Sequence, residues 1–167
     1  MSNFIKYLSE DERQQLHTEI SGFDDLYQSH YISKIQQMYA ELREGRTVWL
    51  RTDTGDGLEY TKFPILYKII CYVCKNPNLG RIYIHRLKPG DKIYKHKDTE
   101  RYHSLIQRYH IYLELPDEVV IKYNGDKIDP WSVISFDHTE YHSYDNRSSN
   151  EIKFIVFDIF KENPDPV

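Results

Sequence analysis

The chain has 167 residues, a length that favours one domain with its own hydrophobic core over a disulfide-stapled miniprotein or a multidomain assembly. Acidic residues number 26 against 22 Lys and Arg, and this net charge of −4 disfavours a surface dedicated to duplex nucleic acid. No apolar run approaches the roughly 18 residues of a membrane span, so we expect a folded, soluble protein. Met1 to Leu8 lack the features of a secretory signal, and we expect a cytoplasmic location.

The first half of the chain predicts mainly helices. Ser9 precedes three acidic residues, as is typical of a helix N-cap, and apolar residues recur at helical spacing as far as Glu44. A break near Gly22 divides this region into two helices. A short strand is predicted over residues 47–50 and an apolar helix over 65–74. Cys71 and Cys74 lie on that helix, and we interpret them as two buried thiols because no second Cys pair completes a zinc site.

From Arg81 onward the hydrophobic period falls from about 3.6 to about 2 residues, which is typical of strands. The predicted strands are 82–87, 92–95, 109–115, 119–123, 132–136 and 151–160, with turn residues such as Pro89-Gly90 and Asn124-Gly125 between them. This order predicts an α+β, mainly β fold, an antiparallel jelly-roll or cupin-like barrel. We expect a single domain over residues 1–167, with 1–79 as mainly helical support and 80–162 as the barrel.

The histidines concentrate in the strand-rich half. Within it, His96-Lys97-Asp98 projects an imidazole and a carboxylate from one face of a strand, where both can reach one ion. A second imidazole would complete two His and one carboxylate, a set that leaves one side of an octahedral Fe(II) open. His142 is the preferred candidate because it begins a predicted strand after a turn, and His138 is its rival.

The predicted strand around Arg108 has two different faces. Alternation places one set of side chains on a polar face that can line a cavity, Arg108, His110, Tyr112 and Glu114. It places an apolar set on the core face, Tyr109, Ile111, Leu113 and Leu115.

Several spaced elements together resemble the aspartyl/asparaginyl β-hydroxylase family of Fe(II)- and 2-oxoglutarate-dependent oxygenases. They are Leu87-Lys88-Pro89-Gly90, His96-x-Asp98, Arg108-x-His110, His142-Ser143-x-x-Asn146 and a last strand that ends in Phe157-Asp158. The resemblance spans roughly residues 80–160. It implies a double-stranded β-helix in which His96, Asp98 and His142 hold Fe(II), while Arg108 and His110 contact the cosubstrate 2-oxoglutarate. The implied enzyme is a dioxygenase that uses O2 to hydroxylate an unactivated carbon.

One departure from the family pattern concerns the far carboxylate of 2-oxoglutarate. The family usually anchors it with an arginine ten residues after the distal histidine, and this chain has Ile152 there. Three side chains are candidates for the contact. Lys153 would need a bulge to point inward, Arg147 would reach over from a turn, and His85 would donate from an earlier strand.

The primary substrate stays open, with a protein side chain, an amino acid or peptide, or another small molecule as candidates. Residues next to the ligand segments are candidates for the substrate mouth, although packing is the better interpretation for each of them: Tyr94, Arg101, Tyr102, His103 and Tyr144. The alternative functions are a cupin-like module that binds a metal or anion without redox turnover, and a metal-dependent isomerase or hydrolase.

Overall fold

The computed structural model describes residues 3–21, 46–51, 63–75, 78–99, 101–113, 116–127, 132–135 and 137–161. Over these residues the helices are α1 (Glu10–Ser21), α2 (Pro64–Val73) and α3 (Arg101–Leu105). The strands are β1 (Asn3–Tyr7), β2 (Arg46–Arg51), β3 (Leu79–Leu87), β4 (Lys92–His96), β5 (Ile106–Tyr112), β6 (Val119–Tyr123), β7 (Asp126–Lys127), β8 (Ser132–Ser135), β9 (His142–Asn146) and β10 (Ile152–Phe160).

The strands form two antiparallel sheets. The larger sheet has the order β1-β8-β5-β10-β3-β2, and the smaller sheet has the order β4-β9-β6-β7. Strands from the second half of the chain cross repeatedly between the sheets, which is the arrangement of a jelly roll. The prediction of an antiparallel, mainly β jelly roll is confirmed.

Two apolar cores lie on the two faces of the larger sheet. The inner core, between the sheets, consists of Leu87, Ile93, Tyr112, Val119, Ile121, Tyr123, Ile134, Tyr144, Ile152, Phe154 and Val156. The outer core joins the other face to the helices and includes Leu16, Ile20, Leu66, Ile70, Ile84, Ile111, Ile155 and Phe157. Because successive side chains of β10 alternate between these cores, both of its faces are buried.

The helices begin where their local sequence predicts. Ser9 and Glu12 form a reciprocal capping box, in which the Glu12 N–H donates to Ser9 Oγ (3.1 Å) and the Ser9 N–H donates to Glu12 Oε2 (3.0 Å). The Glu19 carboxylate accepts the N–H groups of Ile65 and Leu66 at the start of α2. Cys71 and Cys74 are free and half-buried. The second predicted helix, over residues 23–44, lies outside the described residues.

The first half of the chain also contributes strands to the barrel. β1 pairs with β8 and β2 pairs with β3, so both extend the larger sheet at its edges. β1 was not predicted, because a five-residue segment directly before an N-cap shows no clear period of its own. The short helix α3 was also not predicted, and β5 begins at Ile106 rather than at residue 109.

The turn after β9 is held by the buried side chain of Asn146. Its Nδ2 donates to the carbonyls of Leu87 (2.9 Å) and Asn150 (2.8 Å), and its Oδ1 accepts from the backbone and hydroxyl of Ser148. The backbone of Asn146 also pairs with Gly90 and Asp91 in the turn before β4. Asn146 therefore joins the turns that precede β4 and follow β9.

We predict that Asn146→Ala lowers the free energy of unfolding by about 2–3 kcal/mol, because the buried Leu87 carbonyl and the Ser148 N–H lose the hydrogen bonds that this side chain makes. Urea denaturation followed by circular dichroism measures this loss. Asn150→Ala is the matched control, because this exposed residue contributes its backbone carbonyl and N–H, which the substitution keeps. Equal stability of the two variants would contradict the role of Asn146.

Candidate metal centre

A β-bulge in β4 aims His96 into the barrel. Ile93 is paired with Tyr144 and His96 with His142, so β4 has one more residue than β9 between these pairs. Tyr94 and Lys95 are both exposed, while Ile93 belongs to the inner core. His96 is three positions after Ile93, so strict alternation in a regular strand would turn it to the opposite face; the bulge returns it to the face of Ile93.

The bulge brings His96, Asp98 and His142 together. One ligand atom from each of these residues lies within 4.8 Å of the other two. His96 and His142 face each other across β4 and β9 with ring centroids 4.2 Å apart, and His96 Nε2 is 3.5 Å from Asp98 Oδ1. The Asp98 N–H donates to the carbonyl of His138 (2.8 Å), which ties the segment after β4 to the segment before β9.

Both imidazoles of the triad are held in the tautomer that a metal requires. Nδ1 of His96 donates to the Tyr94 carbonyl (2.8 Å), and Nδ1 of His142 donates to the Glu140 carbonyl (3.0 Å). Because a carbonyl only accepts, each Nδ1 carries a hydrogen, and Nε2 is the nitrogen with which each ring can bind a metal. Burial lowers the pKa of His142 to about 4, so this ring is neutral at pH 7. The donor set fits a divalent ion.

The two oxygens of the Asp98 carboxylate have different partners. Oδ1 faces His96, while Oδ2 accepts from Arg108 Nη1 at 3.0 Å and lies 3.6 Å from His103 Nδ1. Burial by itself raises the pKa of Asp98, but the Arg108 guanidinium that donates to Oδ2 outweighs it and holds this pKa well below its usual range. Asp98 is therefore ionised, with one oxygen directed toward the imidazoles.

Arg108 lies behind the triad in a buried ion pair with Asp158. Its Nε donates to Asp158 Oδ1 (2.7 Å) and its Nη2 donates to Asp158 Oδ2 (3.0 Å). Asp158 was matched within the family pattern, but it was not predicted to be a site residue. The feature of the sequence that could have indicated a role is that Asp158 is the single acidic residue within the apolar run Ile152–Phe160.

His138 lies beside the triad and contacts another residue. Its Nε2 is 3.0 Å from His110 Nε2, and its ring centroid is 4.9 Å from that of His142. His110 Nδ1 is hydrogen-bonded to the Tyr112 hydroxyl (2.8 Å). Burial, together with the charge of Arg108, places the pKa of His110 well below its ordinary value. The polar face predicted for this strand thus carries Arg108, His110 and Tyr112 toward the interior.

Of the three candidates for the far carboxylate, the structure directs only His85 into the barrel. Ile152 and Phe154 both belong to the inner core, so Lys153 between them projects to the opposite face. The bulge that would turn Lys153 inward is not there, because β10 pairs with β3 without a register shift from Ile152 to Phe157. Arg147 is exposed and its Nε donates to Asp145 (2.6 Å). His85 lies against Phe154, with ring centroids 5.2 Å apart.

The residues considered for the substrate mouth separate into two groups. Tyr94 and Arg101 are exposed, Tyr94 to 80%. Tyr144 belongs to the inner core, and Tyr102 packs under the Arg81 guanidinium, 3.9 Å from its ring centroid. His103 lies next to Asp98. Only the exposed pair is open to a large substrate.

The model of the aspartyl/asparaginyl β-hydroxylase family matches residues 46–162, which is more than half of the chain. The chain belongs to this family. No curated protein matches it. In the part of the chain that the structure describes, every helix is too short or too polar to span a membrane.

Solved structures support the fold. A viral collagen prolyl hydroxylase from Paramecium bursaria Chlorella virus-1, in complex with 2-oxoglutarate, is 17% identical with a TM-score of 0.59, over 95% of this chain and 94% of that one. A Trichoplax adhaerens prolyl hydroxylase, in complex with a hypoxia inducible factor peptide, is 13% identical with a TM-score of 0.62, over 96% and 84%. HygX from Streptomyces hygroscopicus, with nickel and 2-oxoglutarate, is 11% identical with a TM-score of 0.58, over 96% and 83%.

We predict that His142→Ala weakens the binding of Co(II) by more than about 100-fold, because it removes one of three protein donors. Isothermal titration of Co(II) into the metal-free protein measures the affinity. His138→Ala is the matched control, since His138 is a buried neighbour outside the triad, and we expect it to stay near wild type. An equal loss in both variants would place His138 among the ligands.

We predict that the metal-free protein loses stability as the pH falls from about 6.5 to about 4. His142 has its pKa lowered from 6.5 to about 4 in the folded state, so the unfolded chain binds the extra proton in this window. Between pH 7 and pH 5 His142 alone contributes a loss of about 2 kcal/mol, and His110 adds to it because its pKa is lowered too. Urea denaturation at several pH values measures the slope.

The control for this pH dependence is His17→Asn at an exposed position of α1. We expect His142→Asn to flatten the slope and His17→Asn to leave it unchanged. A wild-type stability that is constant from pH 7 to pH 5 would be incompatible with buried neutral imidazoles.

Proposed function

We propose that the protein is an Fe(II)- and 2-oxoglutarate-dependent dioxygenase that hydroxylates an unactivated carbon of a protein side chain, an amino acid or another small substrate. The observation that carries this proposal is the triad of His96, Asp98 and His142, whose two imidazoles lie on adjacent strands with Nδ1 held by a backbone carbonyl. Two imidazoles and one carboxylate leave three positions of an octahedral ion for cosubstrate and O2. Family membership supports the same chemistry.

Arg108 and His110 are the residues that we assign to the chelating end of 2-oxoglutarate. A guanidinium has five N–H groups, and the bonds to Asp158 and Asp98 engage three of them. We assign the other two, which lie on Nη1 and Nη2, to the 1-carboxylate. Both side chains are buried on the inner face of β5, where a charge-assisted hydrogen bond is strong.

His85 is the residue that we assign to the far carboxylate. Phe154 is paired with His85 on one side and with Tyr112 on the other, so these three side chains form one row across β3, β10 and β5. On β5, Arg108, His110 and Tyr112 follow one another on the same face. The row that contains Tyr112 and His85 is therefore the one farther from Arg108, two residues beyond His110. An imidazole offers one donor where arginine offers a fork, so we expect weaker cosubstrate binding than an arginine would give.

When bound, iron supplies the redox chemistry that couples the oxidative decarboxylation of 2-oxoglutarate to succinate and CO2 with transfer of a hydroxyl group to the substrate. The chain's own residues hold the ion, neutralise the carboxylates and keep water out. The inner core fills the interior of the barrel beyond the triad, which limits the entry of water from that side.

We predict that anaerobic addition of Fe(II) and 2-oxoglutarate gives a weak visible charge-transfer band, and that air then produces succinate even without the primary substrate. Absorption spectroscopy and chromatography of succinate measure the two steps. The control is Asp98→Ala, which lacks the carboxylate ligand. Binding of 2-oxoglutarate without succinate, or turnover with Zn(II), would instead favour the binding module or the isomerase.

We predict that His85→Ala raises the KM for 2-oxoglutarate about tenfold with little change in kcat, because a hydrogen bond to a charged group is lost away from the metal. Succinate formation at varied 2-oxoglutarate measures both constants. Lys153→Ala is the matched control, since Lys153 is the neighbouring basic residue on the opposite face of the sheet. A raised KM in Lys153→Ala with none in His85→Ala would reverse the assignment.

A further inference from the structure

Asp158 is a fully buried carboxylate in the middle of the barrel. Its exposed fraction is 0%, and its chain neighbours Phe157 and Ile159 belong to the outer core. Asp158 itself projects to the inner face and is paired in register with Arg108 on β5. A buried charge is retained only where a partner compensates it, so the contacts of Asp158 indicate what it does.

Arg108 connects Asp158 to the metal ligand Asp98. The Nε and Nη2 edge of the guanidinium binds both oxygens of Asp158, and Nη1 binds Asp98 Oδ2 at 3.0 Å. Because the guanidinium is planar and rigid, holding one edge at two points sets the direction in which Nη1 donates. The orientation of the Asp98 carboxylate therefore depends on Asp158.

The charge of Asp158 has a second consequence. A guanidinium next to a divalent cation repels it, and in a buried site this repulsion is only weakly screened. Asp158 neutralises Arg108, so the bridge can hold Asp98 without opposing the ion. A neutral side chain of the same shape would keep the volume and lose this compensation.

Tyr102 connects the same carboxylate to the segment that carries Asp98. It lies on α3, just after the ligand segment; its hydroxyl accepts the Arg81 N–H at 3.0 Å, and burial together with the nearby charge of Asp158 raises its pKa. Gly80 makes room here, because a Cβ at Gly80 would collide with the Tyr102 hydroxyl and would be 3.2 Å from the Asp158 Cβ. Asp158 thus lies against two residues of the segment from Asp98 to Arg108, Tyr102 and Arg108.

We propose that Asp158 is the positioning residue for the metal ligand Asp98. It reaches the metal centre only through Arg108 and Tyr102, and it sets how tightly the centre binds its ion. The proposal rests on the metal centre of the proposed function and adds a residue to which neither the family resemblance nor the triad assigns a role.

The test is the affinity of the metal-free Asp158→Asn variant for Co(II), measured by isothermal titration and by the visible spectrum of the bound ion. We expect affinity to fall about 10–100-fold, as for other residues that orient a metal ligand, and the Co(II) bands to shift. Glu151→Gln is the matched control, because it breaks another arginine–carboxylate pair, Arg86–Glu151, next to the opposite end of β10. We expect this control to bind Co(II) like wild type.

The outcomes separate the two proposals. If wild type does not bind Co(II), the metal centre itself fails. If wild type binds and folded Asp158→Asn binds equally well with an unchanged spectrum, the role of Asp158 is overturned while the metal centre stands. If Asp158→Asn does not fold by circular dichroism, Tyr102→Phe takes its place. This variant keeps the ion pair and the ring, and we expect about threefold weaker binding; an unchanged affinity overturns the proposal.

Discussion

The candidate metal centre depends on the pairing of β4 with β9 and on the one extra residue that β4 contains. The bulge that it forms turns His96 to the face that also carries Ile93. The imidazole therefore lies beside His142 on the neighbouring strand instead of pointing to solvent. The turns on both sides of this pair are joined through Asn146, and the segments at its other end are joined by the Asp98 N–H and the His138 carbonyl. The strands and segments that carry the triad are therefore held together by contacts that need no metal.

Charged and polar side chains occupy successive rows along the inner face of the larger sheet. The row of Asp158 and Arg108 is fully charged, the next row contributes His110, and the row after it contributes His85, Phe154 and Tyr112. Burial lowers the pKa of His110 and His142 while the charge of Arg108 lowers that of Asp98, so His142 and Asp98 are in the protonation states that metal binding requires. This separation follows from environment, because the same residue types on the surface would titrate near their ordinary values.

The sequence predicted the parts of the site that depend on local patterns. Alternation placed Arg108 and His110 on one face, and the spacing of His96 and Asp98 indicated a shared ion. The Asp158–Arg108 pair was not predictable in this way, because it joins residues 50 positions apart on neighbouring strands. Nor was the direction of Lys153, since the choice between an inward and an outward side chain depends on whether β10 contains a bulge, and only the register with β3 shows that it does not. The strand β1 depends in the same way on its partner β8 and not on its own five residues.

The apolar interior of the barrel also explains why Ile152 occupies the position at which the family usually has arginine. Ile152 is paired with Leu87, and both are buried in the inner core beyond the row of His85. An arginine there would bring a charge into an apolar core, and a buried charge without a partner is strongly destabilising. Isoleucine removes that penalty and adds apolar contact to the core. In the function that we propose, the far carboxylate relies on the weaker donor His85 in the neighbouring row, and we expect looser recognition of the cosubstrate tail than an arginine would give.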